Sequence, residues 1–236
     1  MKLPRLTLGL AALAALLLFG SASGTRFGLW SFPIGFQLLK WAAYLGVSVA
    51  VVALVSLLVP RLRAGGGAHL LVSAVLGLGV AAVPAYWIRA AREVPPIHDI
   101  STDLQDPPAF VAVLPRRGND ANPVEHGGAD VAEAQRSAYP DIQPLVLGLD
   151  PAEAFALALR AARDMGWEIV AQDPEKGRIE ATATTFWFGF KDDVVVRVVP
   201  SGGGSRIDVR SLSRVGVSDV GANAKRIREY FARLAG

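Results

Sequence analysis

Three apolar runs in the first 92 residues constrain this chain more than any other feature. They cover about residues 6–22, 41–59 and 68–88. The second run holds 19 residues without a charge, which as a helix extend over about 28 Å, close to the thickness of a bilayer's hydrocarbon core. Because lipid offers no hydrogen-bond partner to an open backbone, each run is predicted to be a membrane-spanning helix, and residues 1–92 a membrane anchor.

The acidic residues are distributed very unevenly. All 21 of them lie at or after Glu93, whereas the preceding residues carry eight basic residues and no acidic one. The part from Glu93 onward thus has 16 basic and 21 acidic residues, a net charge of −5, although the whole chain carries +3. This acidity disfavours nucleic acid as a partner. The basic residues of the first part flank apolar runs, which favours a lipid bilayer.

Basic residues near the runs predict the orientation of the anchor. Lys2 and Arg5 precede the first run, and Arg61 and Arg63 lie between the second and the third. The positive-inside rule places these four in the cytoplasm, so the C-terminal domain is predicted outside it, at the cytoplasmic (inner) membrane. Four other basic residues favour the opposite orientation: Arg26, Lys40, Arg89 and Arg92.

The first run has a second interpretation. Two basic residues, an apolar core and the small residues 21–23 resemble a cleavable signal peptide. We favour an uncleaved helix because two further runs follow, and both interpretations give the same final topology.

Small residues recur at every fourth position of the second and third runs. Such faces let two helix backbones approach closely. We favour packing of the two runs within one chain, and a homo-oligomer through these faces is the alternative. The positions are Ala42, Gly46 and Ala50 in one run, and Ser73, Gly77, Ala81 and Ala85 in the other.

The remainder of the chain predicts a two-layer α+β domain. Residues 93–149 indicate an extended lead-in and a long loop, and residues 150–236 the core. Asp150-Pro151 begins a helix that Gly166 ends. Four segments with alternating polarity follow, at residues 167–172, 178–188, 194–199 and 206–215, and short turns make them an antiparallel four-stranded meander. A second helix runs from about 219 to 234, so two helices flank the sheet.

Composition excludes several kinds of chemistry. The chain has no cysteine and three histidines, which removes disulfides, zinc–cysteine sites and cysteine nucleophiles. No carboxylate or lysine lies in the middle of an apolar run, which argues against an ion pathway. We predict no cofactor, no metal site and no catalytic residue.

Strand alternation predicts one polar face of the sheet. Arg197, Asp208, Arg210 and Arg214 share it, and opposite charges on neighbouring strands stabilise a solvated face. The alternative is a polar groove in which the guanidinium groups bind a carboxylate or phosphate. The other face is predicted to meet the helices through Ile179, Ala181, Ala183, Val194, Val196, Val198, Ile207 and Val209.

Two shorter clusters are weaker candidates for ligand binding. His98 and Asp99, with Asp103 nearby, lie in one extended segment, where ligands seldom converge on a metal, so a polar strand edge is favoured. Lys191 and Asp192 are followed by a second aspartate, and we expect this segment to close a turn, because adjacent strand residues point to opposite faces.

Several motifs in the second part resemble one bacterial family. They are Ile97-His98-Asp99-Ile100-Ser101-Thr102-Asp103, Tyr139-Pro140-Asp141-Ile142-Gln143-Pro144, Gly166-Trp167, Phe188-Gly189-Phe190-Lys191-Asp192-Asp193, and the stretch from Asp208 to Ile227. Together these residues are similar to the domain of unknown function 1499 family over about residues 95–234. The resemblance implies a domain boundary and no established activity.

These observations favour a membrane-anchored extracytoplasmic domain that binds a partner protein or a small anionic or lipid-like ligand. The alternative is a membrane-tethered hydrolase or metal-dependent enzyme that uses the polar sheet face. Convergence of His98, Asp192, Asp208 and Arg210 around one concave pocket would favour the enzyme, and their dispersal would favour the binding domain.

Overall fold

A computed structural model describes residues 2–235 of the chain and divides it into two compact units. The first unit extends to Ala90 and includes Phe186–Gly189. The second comprises Ala91–Thr185 and the residues from Phe190 onward.

The first unit consists of helices α1 (Lys2–Arg26), α2 (Phe32–Leu58) and α3 (Pro60–Arg63), with most of α4 (Gly67–Arg92). The three long helices are each long and apolar enough to cross a membrane. They exceed the predicted runs because the flanking residues continue the helical backbone, and α4 continues through Pro84.

Helices α2 and α4 meet through their small residues. A Cβ atom added to Gly46 would lie 2.8 Å from the carbonyl oxygen of Gly77, and one added to Gly77 would lie 2.5 Å from that of Gly46. Such an approach requires glycine on both helices. The two small-residue faces therefore meet at Gly46 and Gly77 within one chain, as the favoured interpretation expected.

The second unit is an α+β domain, which confirms the predicted class. Its elements in chain order are β1 (Asp99–Ser101), a 3₁₀ turn (Leu114–Arg116), α5 (Gly128–Ala138), β2 (Leu145–Leu147), α6 (Pro151–Asp164), β3 (Glu168–Asp173), β4 (Arg178–Thr184), β5 (Lys191–Ser201), β6 (Gly204–Ser213) and α7 (Ala222–Ala235).

The sheet contains the predicted antiparallel meander and two strands more. Strands β3 to β6 pair in sequence, and β1 and β2 both pair antiparallel with β6, which gives six strands instead of four. The additional strands, like α5, come from residues 93–149, which the sequence indicated as lead-in and loop. Each additional strand has three residues, too few for alternating polarity to identify it.

The apolar face of the sheet packs against α6 and α7. All eight residues predicted for this face belong to the main core cluster, with Phe155 from α6 and Ile227 from α7. The rings of Trp167 and Tyr230 stack 4.9 Å apart. The Asp150 carboxylate accepts hydrogen bonds from the backbone N–H groups of residues 152 and 153, which confirms the predicted helix start.

Strand β4 ends earlier than predicted. The backbone N–H of Thr185 donates to the Phe190 carbonyl oxygen at 2.8 Å, and the Phe190 N–H donates to the Thr185 hydroxyl at 2.8 Å. These bonds close a loop in which Gly189 has a φ of 71°. The aromatic residues before Gly189 favour a strand by propensity, but the loop closure and its glycine end the strand at Thr184.

Candidate functional site

Glu180 of β4, Arg197 of β5, and Asp208 and Arg210 of β6 lie on one face of the sheet, as alternation predicted. The registers Glu180–Val195–Arg210 and Thr182–Asp193–Leu212 define this face. The sequence predicted a solvated face, but most of this face is buried. An irregular segment, residues 103–124, crosses it and buries most of its side chains. We call this segment the strap. We call the charged side chains beneath it the ionic face: Arg178, Glu180, Asp193, Arg197, Arg206, Asp208, Arg210 and Arg214.

Backbone groups of the strap bind side chains of the ionic face. The Glu180 carboxylate, fully buried, accepts hydrogen bonds from the backbone N–H groups of Val111 and Val113, both at 3.0 Å. Arg214 donates to the carbonyl oxygen of Arg116 at 2.8 Å. The face thus supplies the hydrogen-bond partners that an irregular backbone otherwise takes from water.

A small apolar cluster also fastens the strap. Phe110 and Val113 pack on Val195 of β5 and Leu212 of β6, and all four are buried. The Arg210 guanidinium carbon lies 5.0 Å from the centre of the Phe110 ring, a distance that permits cation–π attraction.

Arg210 and Asp99 form a buried bidentate ion pair. Arg210 Nε lies 2.9 Å from Asp99 Oδ1, and Nη2 lies 2.7 Å from Oδ2. Both residues are 4% exposed. Arg210 also donates to the carbonyl oxygens of Pro108 at 3.3 Å and Val124 at 2.6 Å, so it contacts the strap near its start and at its end.

Arg197 and Arg206 share Asp208. The Asp208 carboxylate, fully buried, accepts from Arg197 Nε and Nη2 at 3.1 and 3.0 Å and from Arg206 Nε at 2.9 Å. Both arginines also bind Asp103, and Arg197 binds Asp106, at the start of the strap. The guanidinium groups therefore already hold carboxylates of their own chain.

The environment of Asp103 favours its charged form. Burial raises the pKa of this carboxyl, but the backbone N–H groups of Asp106 and Gln105 and the Arg206 guanidinium together lower it more. The pKa of Asp103 therefore lies below its ordinary value, as expected for a carboxylate that accepts several hydrogen bonds.

Asp193 is the central carboxylate at the other end of the ionic face. It accepts hydrogen bonds from Arg214 at 2.7 and 3.0 Å, from the Thr182 hydroxyl at 3.0 Å, and from Arg117 of the strap. Strand alternation placed Arg214 on this face but not Asp193. The segment that begins at Lys191 starts strand β5 and does not close a turn, so this expectation was wrong, and Lys191 is exposed at the strand's first position.

Asp192 points to the opposite face of the sheet. Its carboxylate binds Arg226 of α7 at 2.5 Å. Next to this pair, the Asn223 side chain binds Ser211, Ser213 and the backbone carbonyl oxygen of residue 98. This second polar cluster is therefore built between β6 and the first turn of α7.

The four residues whose convergence would favour an enzyme are dispersed. Asp208 and Arg210 lie under the strap, whereas Asp192 lies on the other face beside Arg226. The His98 ring contacts the carbonyl oxygen of Val217 through Nδ1, at 3.4 Å. Among residues 2–235, no group of three or more His, Asp and Glu side chains could hold a metal ion.

His126 is a residue that the sequence pattern did not reveal. Its Nε2 atom is buried and has no hydrogen-bond partner among the described residues. Burial lowers the pKa of His126, while the charge of Asp99 raises it and that of Arg210 lowers it. The residue lies in an irregular segment without periodicity, so no pattern in the sequence connects it with Asp99.

The two units define a class of protein. An N-terminal unit of long apolar helices is joined to an α+β domain in which a strap closes one sheet face and two helices close the other. The chain belongs to the family described as "Protein of unknown function (DUF1499)", whose family model matches residues 99–234.

One solved structure similar to this chain is the crystal structure of the protein TTHA0849 from Thermus thermophilus. It has 11% sequence identity and a TM-score of 0.25, over 39% of this chain and 90% of that one. No curated protein matches the chain.

Proposed function

We propose that the chain is a membrane protein whose three long helices hold the C-terminal domain outside the cytoplasm, where the domain binds a partner protein through its exposed surface. A small anionic or lipid-like ligand is the less favoured form of this proposal. A homo-oligomer of the chain, formed through the small-residue faces of its second and third apolar runs, stays a prediction.

The exposed apolar surface of the long helices carries the proposal. Leu16 of α1 is 70% exposed, Leu58 of α2 is 82% exposed and Val75 of α4 is 63% exposed. An uninterrupted surface of this kind is unfavourable in water, because burial of apolar area contributes about 25 cal/mol per Å². A bilayer covers this surface without any further protein.

The contacts of the ionic face support a protein partner over an anionic ligand. An anion at Arg197 or Arg210 would have to displace Asp208 or Asp99, and both carboxylates are buried. Removing one member of a buried pair costs about 3–5 kcal/mol. Val146 and Val217, at 62% and 79% exposure, offer apolar contact area outside the ionic face.

The enzyme alternative rests on His126. A partly buried imidazole whose Nε2 atom has no hydrogen-bond partner among the described residues, and which feels the charge of Asp99, has the composition of an acid–base pair. In the part of the chain that the structure describes, no group of three or more His, Asp and Glu side chains could hold a metal ion, and Asp99 is already paired with Arg210, so we favour the binding domain.

Reporter fusions test the anchor and its orientation. Alkaline phosphatase, which is active only outside the cytoplasm, is fused to the C-terminus and, as a matched control, after Ala64 between α3 and α4. We expect activity from the first fusion and none from the second. The reverse pattern would overturn the orientation, and a chain that stays in the soluble fraction would overturn the anchor.

A photo-crosslinking residue at Val217 tests partner binding in cells, with the same residue at buried Ile227 as the control. We expect a discrete crosslinked species larger than the chain from position 217 and none from position 227. The absence of such a species from both Val217 and Val146 would contradict a partner at this surface.

A further inference from the structure

The outer face of α2 carries an open, shallow groove near the start of the helix, lined by side chains of this helix alone. The groove has a volume of about 290 Å³ and is lined by Pro33, Phe36, Gln37, Lys40, Trp41 and Tyr44. Trp41 is 60% exposed and Tyr44 is 55% exposed. Large aromatic side chains therefore face away from the other helices of the unit.

Lys40 provides the only charge of α2. Its ammonium nitrogen lies 5.7 Å from the centre of the Tyr44 ring, and the residue is exposed. Lys40 is 18 residues from the end of the helix at Leu58, a length of about 27 Å. This distance nearly equals the hydrocarbon thickness of a bilayer, so a helix that spans it holds the ammonium at the level of the lipid phosphates.

An apolar stripe continues from the groove along the same helix. Tyr44, Val47, Val51 and Val55 follow Lys40 at spacings of three or four residues, and each of them is at least half exposed. Residues at these spacings lie on one helix face. The face thus has one cation at its start and a charge-free apolar stripe beyond it. This order matches that of a lipid with an anionic headgroup and an acyl chain.

Charge and shape favour a lipid over a second helix as the occupant. The chain has no acidic residue before Glu93, so the helical unit of a second copy offers no carboxylate to Lys40. The small residues through which helices approach closely are already used between Gly46 and Gly77, and the outer stripe consists of large side chains.

We propose that this face of α2 binds an anionic phospholipid, with the lipid phosphate at Lys40 and an acyl chain along Tyr44, Val47 and Val51. Gln37 and Trp41 line the same groove, and in this proposal their side-chain amide and indole N–H groups donate hydrogen bonds to the phosphate oxygens. The inference rests on the proposed membrane anchor and adds a lipid class to it.

The test compares which lipids the full chain retains. The chain is reconstituted in vesicles of equal phosphatidylglycerol and phosphatidylcholine, extracted in mild detergent, and its bound lipids are counted by native mass spectrometry. We expect phosphatidylglycerol to exceed phosphatidylcholine about fivefold, because one lysine attracts a lipid with a net negative charge, whereas the choline group of phosphatidylcholine cancels the charge of its phosphate. Lys40→Gln should reduce this ratio towards one, while Lys40→Arg and the control Lys176→Gln, in the second unit, should keep it.

Each other outcome contradicts the inference. An equal ratio in the unmodified chain, or the same ratio in Lys40→Gln, would overturn it. Displacement of phosphatidylglycerol by millimolar inorganic phosphate would indicate a site for free phosphate. A dimer that Lys40→Gln abolishes would indicate a second copy. Vesicle flotation separates the two proposals: a chain that does not float contradicts the anchor, whereas one that floats without lipid preference contradicts the lipid site alone.

Discussion

The two faces of the sheet in the second unit are buried by different means. The face towards α6 and α7 is apolar and packs against regular helices, and Ile179 and Val196 on it are each 1% exposed. The other face has a comparable degree of burial, with Glu180 and Asp208 at 0%, yet its cover is a strap of irregular backbone. An irregular segment leaves its own N–H and C=O groups unpaired, and the charged side chains of the ionic face provide their partners.

Because of this difference, each charged side chain of the ionic face depends on its partners for its hydrogen bonds, and the domain depends on the whole set. Arg197 joins Asp208 to Asp106 of the strap, and Arg214 joins Asp193 to the carbonyl oxygen of residue 116. Loss of one charge leaves its partners buried and unpaired. The apolar face, by contrast, should lose only the contacts of the residue that is changed.

The largest effect is expected from Asp193→Ala. The substitution leaves Arg117 and Arg214 without their carboxylate, and their side chains are 5% and 13% exposed. We expect the free energy of unfolding to fall by about 3–5 kcal/mol, measured by urea unfolding of the fragment from residue 91. Glu168→Ala removes an exposed ion pair with Arg116 and should cost at most about 1 kcal/mol. Equal effects would show that the ionic face is solvated.

Ile227→Ala tests the helix-covered face. Ile227 is 1% exposed in the core of α7, and a cavity there should cost about 3 kcal/mol. We expect this loss to stay constant as the salt concentration rises, because no charge is involved, and unfolding at several concentrations of sodium chloride measures it. A loss below about 1 kcal/mol would mean that α7 does not cover the sheet in solution.

Tyr230→Phe should have a smaller effect on the same face. The Tyr230 hydroxyl, fully buried, donates to the Ala158 carbonyl oxygen at 2.8 Å and so links α7 to α6. Loss of one such bond should lower the free energy of unfolding by about 1 kcal/mol, with the ring stacking on Trp167 retained in the near-ultraviolet circular dichroism. An unchanged stability would show that the hydroxyl finds another partner.

The smallest effect is expected from His126, through pH. Since burial lowers the pKa of His126 from its ordinary value of 6.5, the unfolded chain takes up a proton more readily than the folded one. Its contribution to stability is therefore present above about pH 6.5 and is lost as the pH falls through the folded pKa. We expect His126→Gln to reduce the decrease in unfolding free energy between pH 7 and pH 5. An unchanged decrease would show that His126 is solvated.

Local sequence pattern predicted the regular parts of the domain. Alternation assigned Ile179 and Val209 to one face and Arg197 and Arg210 to the other, since strand side chains alternate whatever packs on them. It could not predict that Arg210 pairs with Asp99, 111 residues away in the chain. It also missed Asp193, because a charged residue at a strand end has the same pattern as a turn.

The sequence by itself determined three helices suited to lipid, an antiparallel meander and the helix start at Asp150. Each of these features depends on residues that are close to one another in the chain. Only the tertiary structure decided that the strap covers the polar face, that β1 and β2 extend the sheet, and that each arginine of that face holds a carboxylate of its own chain. These contacts join distant segments without periodicity, and their free energy arises only when folding excludes water from both partners.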